Sequence, residues 1–373
     1  MIIMALDHVR DFFHKDAFLF DPTDLTKTNA PVFFTRWITH FCAPVFVFLA
    51  GTSAYIVGSK KGMTVLSKFL FTRGLWLIFI EIFIVTFGWQ FEIHAHTIAL
   101  QTIWALGVSM VALALLVRLP FAAILTISAL LIAGHNAFDS FHIKGNSASA
   151  LFWSMANDPG FFKYGNISFF IAYPVLAWIG VMGAGYCLGK LYVHVDAMQR
   201  KKMILWIGMI CIAAFIILRF INIYGDKDHW TPQASPIFTL MSFLNCTKYP
   251  PSLLYLLMTI GPALVFLGIS EKPLNRFRNV ISTYGRVPMF YYLAHIYIIH
   301  LAAMLAASFT GYKWSDMVFP FWVTLNPPLH GYGFNLGIVY MIWAIVVIGL
   351  FPLCRWYDKY KSSHREKWWL SYL

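Results

Sequence analysis

The chain has 373 residues, of which 59% are hydrophobic, 18% are aromatic and 12% are charged, and its formal net charge is +12. Soluble domains have about 45–50% apolar and about 25% charged residues, so this composition excludes a soluble enzyme, a disordered chain and a nucleic-acid-binding protein. The mean hydropathy of +0.67 and the many aromatic residues are typical of a chain that crosses a membrane repeatedly.

We therefore expect an all-α polytopic transmembrane helix bundle of about ten spans, because a helix needs about 20 apolar residues to cross a bilayer. The stretch 1–13 has only a short apolar run before Asp7, so we interpret it as a truncated first span whose beginning precedes Met1. We expect one integral-membrane domain over 1–373, with a short tail at 356–373. The remaining predicted spans are 34–57, 74–92, 98–117, 120–138, 168–190, 203–222, 250–270, 287–309 and 333–355.

The basic residues predict the orientation of these spans. Most of the 28 Lys and Arg residues fall in one set of alternating short loops and in the C-terminal tail. By the positive-inside rule this side is cytoplasmic, and ten spans place both termini there. The positive charge is thus a topology signal that requires no nucleic-acid partner. The long loops on the outer side are 14–33, 139–167, 223–249 and 310–332.

The densest polar group is Asp7, His8, Arg10 and Asp11, at the outer end of the first span. On a helix, Asp7 lies on one face with Arg10 and Asp11 at spacings of three and four residues. Arg10 would neutralise one carboxylate while the other orients His8, which is the arrangement that a general base requires. A salt-bridged helix end that anchors the protein at the bilayer boundary is the alternative, and the spacing leaves both open.

Other ionisable residues lie within predicted spans. Placing such a side chain inside the membrane costs free energy, so each is expected to have a function or a partner. His295 is at mid-membrane, and His300 lies nearer the outside on the same helix. His40 precedes Pro44 in the second span. A haem held by His40 and His300 is a rival interpretation, but the sequence has no haem-attachment motif, and we expect neither haem nor metal.

Two further groups have simpler interpretations. Glu81 is expected to pair with Arg73 or Arg118 inside the membrane. Glu92, His94 and His96 alternate along an outer turn, a spacing that fits no helical metal site.

Several runs of this sequence resemble bacterial relatives of heparan-alpha-glucosaminide N-acetyltransferase, a family of polytopic membrane acyltransferases. The resemblance covers nearly the whole chain. The runs are MALDHVRDFF (4–13), FFTRWITHFCAPVFVFLAGTSAYI (33–56), YPVLAWIGVMGAGYCLG (173–189), SFLNCTKYPPSLLYLLMTIGPAL (242–264), YGRVPMFYYLAHIYIIH (284–300), PLCRWYDKYK (352–361) and the closing WLSYL.

The resemblance implies that acetyl-CoA binds from the cytoplasm and that its acetyl group reaches an amine or hydroxyl of a glycan or sugar on the outer side. It also implies a bacterial inner-membrane location and an outer-level catalytic histidine. His8 is the first candidate and His40 the second, with Asp7 or Asp11 orienting His8 and Arg10 holding a carboxylate or the oxyanion. The imidazole would act as a base or carry the acetyl group.

Other side chains are expected to bind the two substrates. Candidates for the phosphates of CoA are Arg286, Arg118 and Arg73, at the inner ends of spans. Candidates for the acceptor are Lys248, Asn245, Trp89, Gln90 and Trp178. A homodimer is compatible with the sequence. A transporter or flippase of a lipid or small solute is the alternative function, although the broken-helix repeats typical of such proteins are absent from the pattern.

Overall fold

The computed structural model describes residues 1–94, 96–271, 275–320, 329–364 and 366–371. Its contacts divide the chain into two compact units, each built from separate stretches of sequence. The first unit comprises Met1–Cys42, Phe83–Thr97 and Pro273–Leu373, and the second comprises Ala43–Ile82 and Ile98–Lys272. The prediction of one domain over 1–373 stays a prediction, and each unit is described separately below.

The described residues are mainly helical, as the sequence predicts. In chain order the helices are α1 (Ile2–Phe13), α2 (Ala30–Thr39), α3 (Cys42–Lys61), α4 (Met63–Ile80), α5 (Thr86–Gln90), α6 (Thr102–Leu116), α7 (Phe121–Gly134), α8 (Ala148–Ala156), α9 (Leu176–His194), α10 (Ala197–Ile221), α11 (Pro236–Leu244), α12 (Leu253–Ser270), α13 (Arg276–Arg286), α14 (Pro288–Phe309) and α15 (Leu336–Ser363). A π-helical turn, Glu81–Val85, lies between α4 and α5.

Eight helical segments of the described chain are long and apolar enough to cross a membrane. They coincide with eight of the ten predicted spans, which confirms the all-α polytopic class. The exceptions are 1–13, where α1 has 12 residues, and 98–117, where α6 has 15 residues and follows a short strand. The eight segments are Ala30–Lys61, Met63–Gln90, Phe121–Phe138, Leu176–His194, Ala197–Ile221, Leu253–Ser270, Pro288–Phe309 and Leu336–Ser363.

Several predicted boundaries differ from the observed ones. Helix α15 continues to Ser363, so the beginning of the predicted tail 356–373 is helical. The predicted outer loop 139–167 contains α8 and the first strand of a β-hairpin, whose second strand, Ile167–Ile171, occupies the beginning of the predicted span 168–190. The predicted loop 223–249 contains α11. Part of the predicted loop 310–332, namely 321–328, lies outside the described residues, as does the end of the WLSYL run.

A small sheet accompanies the second unit, with β1 (Thr97–Leu100), β2 (Gly160–Tyr164) and β3 (Ile167–Ile171) in the order β1-β3-β2. Strands β2 and β3 are antiparallel and are joined by two residues, Gly165 and Asn166. Gly165 has a φ of 60°, which a two-residue hairpin turn demands and glycine supplies without strain. Phe162, Ile171 and Leu100 bury one face of the sheet with Ala150 of α8.

Glu81, which was expected to pair with Arg73 or Arg118, has partners in the backbone. Its carboxylate accepts hydrogen bonds from the backbone N–H groups of Gln101 (3.2 Å) and Trp104 (3.1 Å). These groups lie at the start of α6, whose first N–H groups have no partner within the helix. A fully buried carboxylate therefore satisfies a helix N-terminus.

Close backbone packing of α3 against α9 organises the second unit. The sequence places Gly185 and Gly189 on one face of α9, a spacing that favours close helix approach. A Cβ atom on Gly185 would overlap the carbonyl oxygen of Phe48. Thr52 of α3 donates a hydrogen bond to the Gly185 carbonyl at 3.0 Å. The interpretation of these glycines as a close-packing face is confirmed.

Gly185→Ala is therefore expected to destabilise the protein by about 1–3 kcal/mol, since α3 and α9 must move apart. The matched control is Gly349→Ala in α15, because a Cβ atom at Gly349 has no atom within 4 Å. That control should be neutral or stabilising by up to about 1 kcal/mol, because alanine favours helix. Thermal unfolding in detergent measures both variants, and equal midpoints would contradict the packing described for Gly185.

Candidate functional site

The polar cluster predicted on α1 is a buried ion-pair network in the first unit. Helix α1 packs against α2, α14 and α15, which encloses Asp7, His8 and Arg10. The Nη2 atom of Arg10 lies 2.9 Å from Asp7 Oδ1 and also donates to Asp11 Oδ1. Asp7, Arg10 and Asp11 thus lie on one face of α1, as their spacing predicts.

Arg36 of α2 completes this network and was not among the predicted site residues. Its Nη1 atom donates to Asp7 Oδ2, so Asp7 lies between two guanidinium groups. The signal that could have found Arg36 is its position inside the predicted span 34–57, where a charge is costly unless it is paired. In the loop between α1 and α2, burial works to raise the pKa of Asp21, but the Arg36 charge and the hydrogen bonds from Thr23 hold that pKa below its ordinary value.

His8 has an unexpected partner, His295 of α14. The Nδ1 atom of His8 lies 2.7 Å from Nε2 of His295, and both side chains are buried. The opposite nitrogen of His295, Nδ1, lies 2.7 Å from the carbonyl oxygen of Tyr291. The sequence predicted that Asp7 or Asp11 would orient His8. That role of the carboxylates stays a prediction, and the structure adds a second histidine as the partner of His8 Nδ1.

The two imidazole rings meet edge to edge. Their planes differ by 4° and their centroids are 4.9 Å apart. Stacked rings cannot bring two nitrogens to 2.7 Å, and this centroid separation is close to the largest that such an N···N contact allows. The rings are therefore nearly coplanar, and the nitrogens face each other along their lone-pair directions, as a strong hydrogen bond requires.

Aromatic side chains enclose His8. The Trp89 ring lies 4.8 Å from the His8 ring in an edge-on arrangement, and Tyr292 lies 6.0 Å away. Trp89 Nε1 donates to the Tyr292 hydroxyl at 3.4 Å. Trp89 was predicted as an acceptor-binding residue, and it contacts the predicted catalytic histidine. The adjacent Gln90 is buried, and neither of its side-chain amide atoms has a hydrogen-bond partner among the described residues.

His300 and His40 lie elsewhere in the first unit. His300 Nδ1 lies 2.9 Å from the Gly88 carbonyl oxygen, and its Nε2 lies 2.7 Å from that of Met317. Because both ring nitrogens face carbonyl oxygens, neither is available to ligate the haem iron of the rival interpretation. His40 is buried at the break between α2 and α3, where it forms the C-terminal cap of α2.

Three predicted acceptor-binding residues lie in the second unit, and two of them contact the ring of Tyr173. The buried Trp178 ring lies 5.6 Å from the Tyr173 ring. The Nζ atom of Lys248 lies 5.9 Å above Tyr173 and 5.2 Å above Tyr249, as cation–π contacts. Asn245 accepts a hydrogen bond from Arg219 through its backbone carbonyl at 2.8 Å. Tyr173 was not predicted as a site residue.

The three predicted phosphate-binding arginines have protein contacts of different kinds. Arg286 is paired with Asp358, with its Nε and Nη2 atoms both 2.8 Å from the carboxylate. In the second unit, Arg118 donates to the hydroxyl of Ser67 at 3.2 Å, and Arg73 lies 5.7 Å above the Phe69 ring. A phosphate at Arg286 would have to compete with Asp358.

The predicted outer turn holds a loose histidine–glutamate pair. His96 Nδ1 lies 3.7 Å from Glu92 Oε2, and the rings of His94 and His96 are 5.7 Å apart. Both imidazoles are exposed to solvent, so this turn is unlike the enclosed cluster around His8.

A protein-family model described as "Heparan-alpha-glucosaminide N-acetyltransferase, catalytic" matches residues 3–225. The match covers more than half of the chain and includes α1 with His8, as well as His40 and Trp89. His295 and Lys248 lie outside it. No curated protein and no solved structure matches the chain.

Proposed function

The chain belongs to the heparan-alpha-glucosaminide N-acetyltransferase family, and we propose on that premise that it transfers an acetyl group from acetyl-CoA to an amine or hydroxyl of a glycan or sugar. The observation that supports this most is the enclosed His8, which lies within the matched segment against Trp89 and hydrogen-bonded to His295. An imidazole in a water-poor aromatic enclosure is suited to moving a proton at neutral pH.

In the proposed reaction the acceptor nitrogen or oxygen attacks the thioester carbonyl carbon. His8 takes the proton that the acceptor loses, the C–S bond breaks, and the CoA thiolate leaves and regains a proton from the imidazolium. In the variant with a covalent intermediate, His8 itself attacks the carbonyl carbon, the C–S bond breaks and the CoA thiolate leaves. The acceptor then attacks the acetyl-imidazole, the bond from the acetyl carbon to His8 breaks, and the acceptor's proton passes to the released imidazole. General-base catalysis by His8, without a covalent intermediate, would contribute a factor of about 10²–10⁴ to the rate.

Arg10 is proposed to stabilise the negative charge that develops on the carbonyl oxygen. Its Nη2 atom is engaged by Asp7 and Asp11, whereas its buried Nε and Nη1 atoms have no hydrogen-bond partner among the described residues. Unused donors fixed in a buried site strengthen interactions with a transition-state charge. Asp7 and Asp11 hold this guanidinium in place, and Arg36 pairs with Asp7.

The acceptor is proposed to bind through aromatic and amide groups. Trp89 and Gln90 of the first unit would contact it near His8, since Gln90 has an unused buried amide. Within the second unit, Trp178, Lys248 and Asn245 remain acceptor-binding candidates from the sequence, and the tyrosine and tryptophan rings there suit the apolar faces of sugars. Arg286, Arg118 and Arg73 remain candidates for the phosphates of CoA, which basic side chains bind by charge-assisted hydrogen bonds.

The proposed location is the bacterial inner membrane, with the basic loops and both termini in the cytoplasm. We expect a membrane-impermeant maleimide to label Lys227→Cys but not Lys202→Cys in intact cells, in a background without the five native cysteines. Lys202 lies in the second turn of α10 and Lys227 follows the other end of that helix, whose 25 residues span about 37 Å. Both variants should react after permeabilisation. Labelling of position 202 alone in intact cells would reverse the proposed topology.

Binding of acetyl-CoA by the purified protein tests the proposed function. We expect acetyl-CoA to raise the unfolding temperature of the detergent-solubilised protein in a concentration-dependent way, because a ligand that binds only the folded state stabilises it. ATP at the same concentration is the control for general nucleotide binding. No shift with acetyl-CoA, or an equal shift with ATP, would favour the transporter interpretation.

A further inference from the structure

The contacts of the His8–His295 pair determine where its protons lie. The Tyr291 carbonyl oxygen can only accept a hydrogen bond, so the His295 Nδ1 atom 2.7 Å from it carries a proton. A lone pair on that nitrogen would instead face the lone pairs of the carbonyl. In a neutral imidazole only one ring nitrogen is protonated, so Nε2 of His295 is an acceptor.

The position of the proton on His8 follows from that on His295. Because His295 Nε2 is an acceptor, the 2.7 Å contact requires the proton of that hydrogen bond to belong to His8 Nδ1. The remaining nitrogen of His8, Nε2, therefore carries a lone pair. The alternative, with a proton on both nitrogens of His295, would place an imidazolium on a fully buried side chain in the middle of α14. Burial of an ion in this way is costly unless an opposite charge pairs with it.

We propose that His295 is the positioning residue of the active site: it holds His8 in the tautomer protonated at Nδ1 and makes Nε2 the atom that takes the acceptor proton or the acetyl group. This inference rests on the proposed function and adds a specific atom and a partner to it. His295 performs the role that a carboxylate has in a serine protease triad, where the acceptor fixes the tautomer and ring orientation of the histidine.

A histidine in this position has a consequence that a carboxylate lacks. A buried carboxylate would bring a negative charge beside His8, whereas neutral His295 supplies an acceptor without net charge. The charges of Asp7 and Asp11 are taken up by Arg10 and Arg36. His8, which takes the proton in the proposed reaction, is thus oriented by the neutral side chain of His295.

Two variants of His295 separate this role from simple packing. His295→Phe keeps a ring of similar size but removes the acceptor, so we expect kcat for acetyl transfer to fall about 10²-fold while KM for acetyl-CoA stays within a few-fold. His295→Gln can present its carbonyl oxygen to His8 Nδ1, so we expect it to recover most of the lost kcat. Comparable kcat values in His295→Phe and the wild type would overturn the inference, as would a His295→Gln variant as slow as His295→Phe.

The tautomer itself can be observed in the wild-type protein, which keeps the test valid if a variant fails to fold. In ¹⁵N-histidine-labelled protein, the neutral His8 signal, assigned by its loss in His8→Gln, should show a protonated Nδ1 and an unprotonated Nε2. The opposite pattern would overturn the inference. Activity of His8→Ala distinguishes the two levels of the argument: an active His8→Ala removes His8 from the proposed reaction, whereas an inactive His8→Ala with the opposite tautomer removes only the role of His295.

Discussion

His8→Ala is expected to reduce acetyl transfer by at least about 10²-fold while the protein stays folded, because the imidazole is the group proposed to move the proton or carry the acetyl group. The measurement is transfer of radiolabelled acetyl from acetyl-CoA in membranes, normalised to the amount of protein. Alanine removes a side chain that packs against Trp89, so the unfolding temperature must be followed in parallel.

His40→Ala is the matched comparison for this variant. His40 is also a buried histidine of the first unit, but it lies at the break between α2 and α3. We expect it to lower activity less than His8→Ala. Near wild-type turnover in His8→Ala together with an inactive His40→Ala would transfer the catalytic role to His40, the second candidate from the sequence.

Asp7→Ala is expected to cause the largest loss of stability, about 3–5 kcal/mol, because it leaves two buried guanidinium groups without a shared carboxylate. Arg10 and Arg36 both contact Asp7, and the side chain of Asp7 is only 12% exposed. Removing one partner of a buried pair costs more than the pair itself contributes, since the remaining charge is left uncompensated. The readout is the thermal unfolding midpoint in detergent.

Lys27→Ala provides the control for Asp7→Ala. It also removes an ion pair, with Asp24 at 3.5 Å, but the two side chains are 58% and 31% exposed. Exposed pairs contribute little because solvent and salt screen them, so the midpoint should hardly change. Similar midpoints for Asp7→Ala and the wild type would mean that the network around Arg10 does not stabilise the first unit.

Local periodicity in the sequence accounts for the parts of the site that lie on one helix. The spacing of Asp7, Arg10 and Asp11 predicted a shared face, and the structure places all three in one network. Of the ten spans predicted from the sequence, eight coincide with helical segments of the described chain that are long and apolar enough to cross a membrane. These features depend on residues within a few turns of each other, so a single sequence contains the information.

Partners that are distant in the chain could not be predicted in the same way. The cost of a buried imidazole indicated that His295 needs a partner, but not that this partner is His8, and Arg36 was not predicted at all. Arg36 is 29 residues from Asp7 in the chain, and His295 is 287 residues from His8. Only the packing of α1 against α2 and α14 brings them together. Glu81 was assigned to an arginine for the same reason, although a helix N-terminus satisfies its carboxylate.

The hairpin of β2 and β3 was missed because composition marks the segment of β2 as a loop and most of β3 as the beginning of the predicted span 168–190. Gly165 and Asn166 between two aromatic runs were the available turn signal. Short apolar runs of this kind do not by themselves distinguish a strand from a helix segment or a loop.

Acetyl transfer by inside-out membrane vesicles tests the central claim most directly. Radiolabelled acetyl-CoA is added to the face that corresponds to the cytoplasm, and label is followed into products other than CoA thioesters in vesicles from cells that produce the wild type or His8→Ala. We predict that label enters an amine- or hydroxyl-linked acetyl product in the wild type and at least about 10²-fold less in the variant. Equal incorporation in the two preparations, or none above vesicles that lack the protein, would contradict the account.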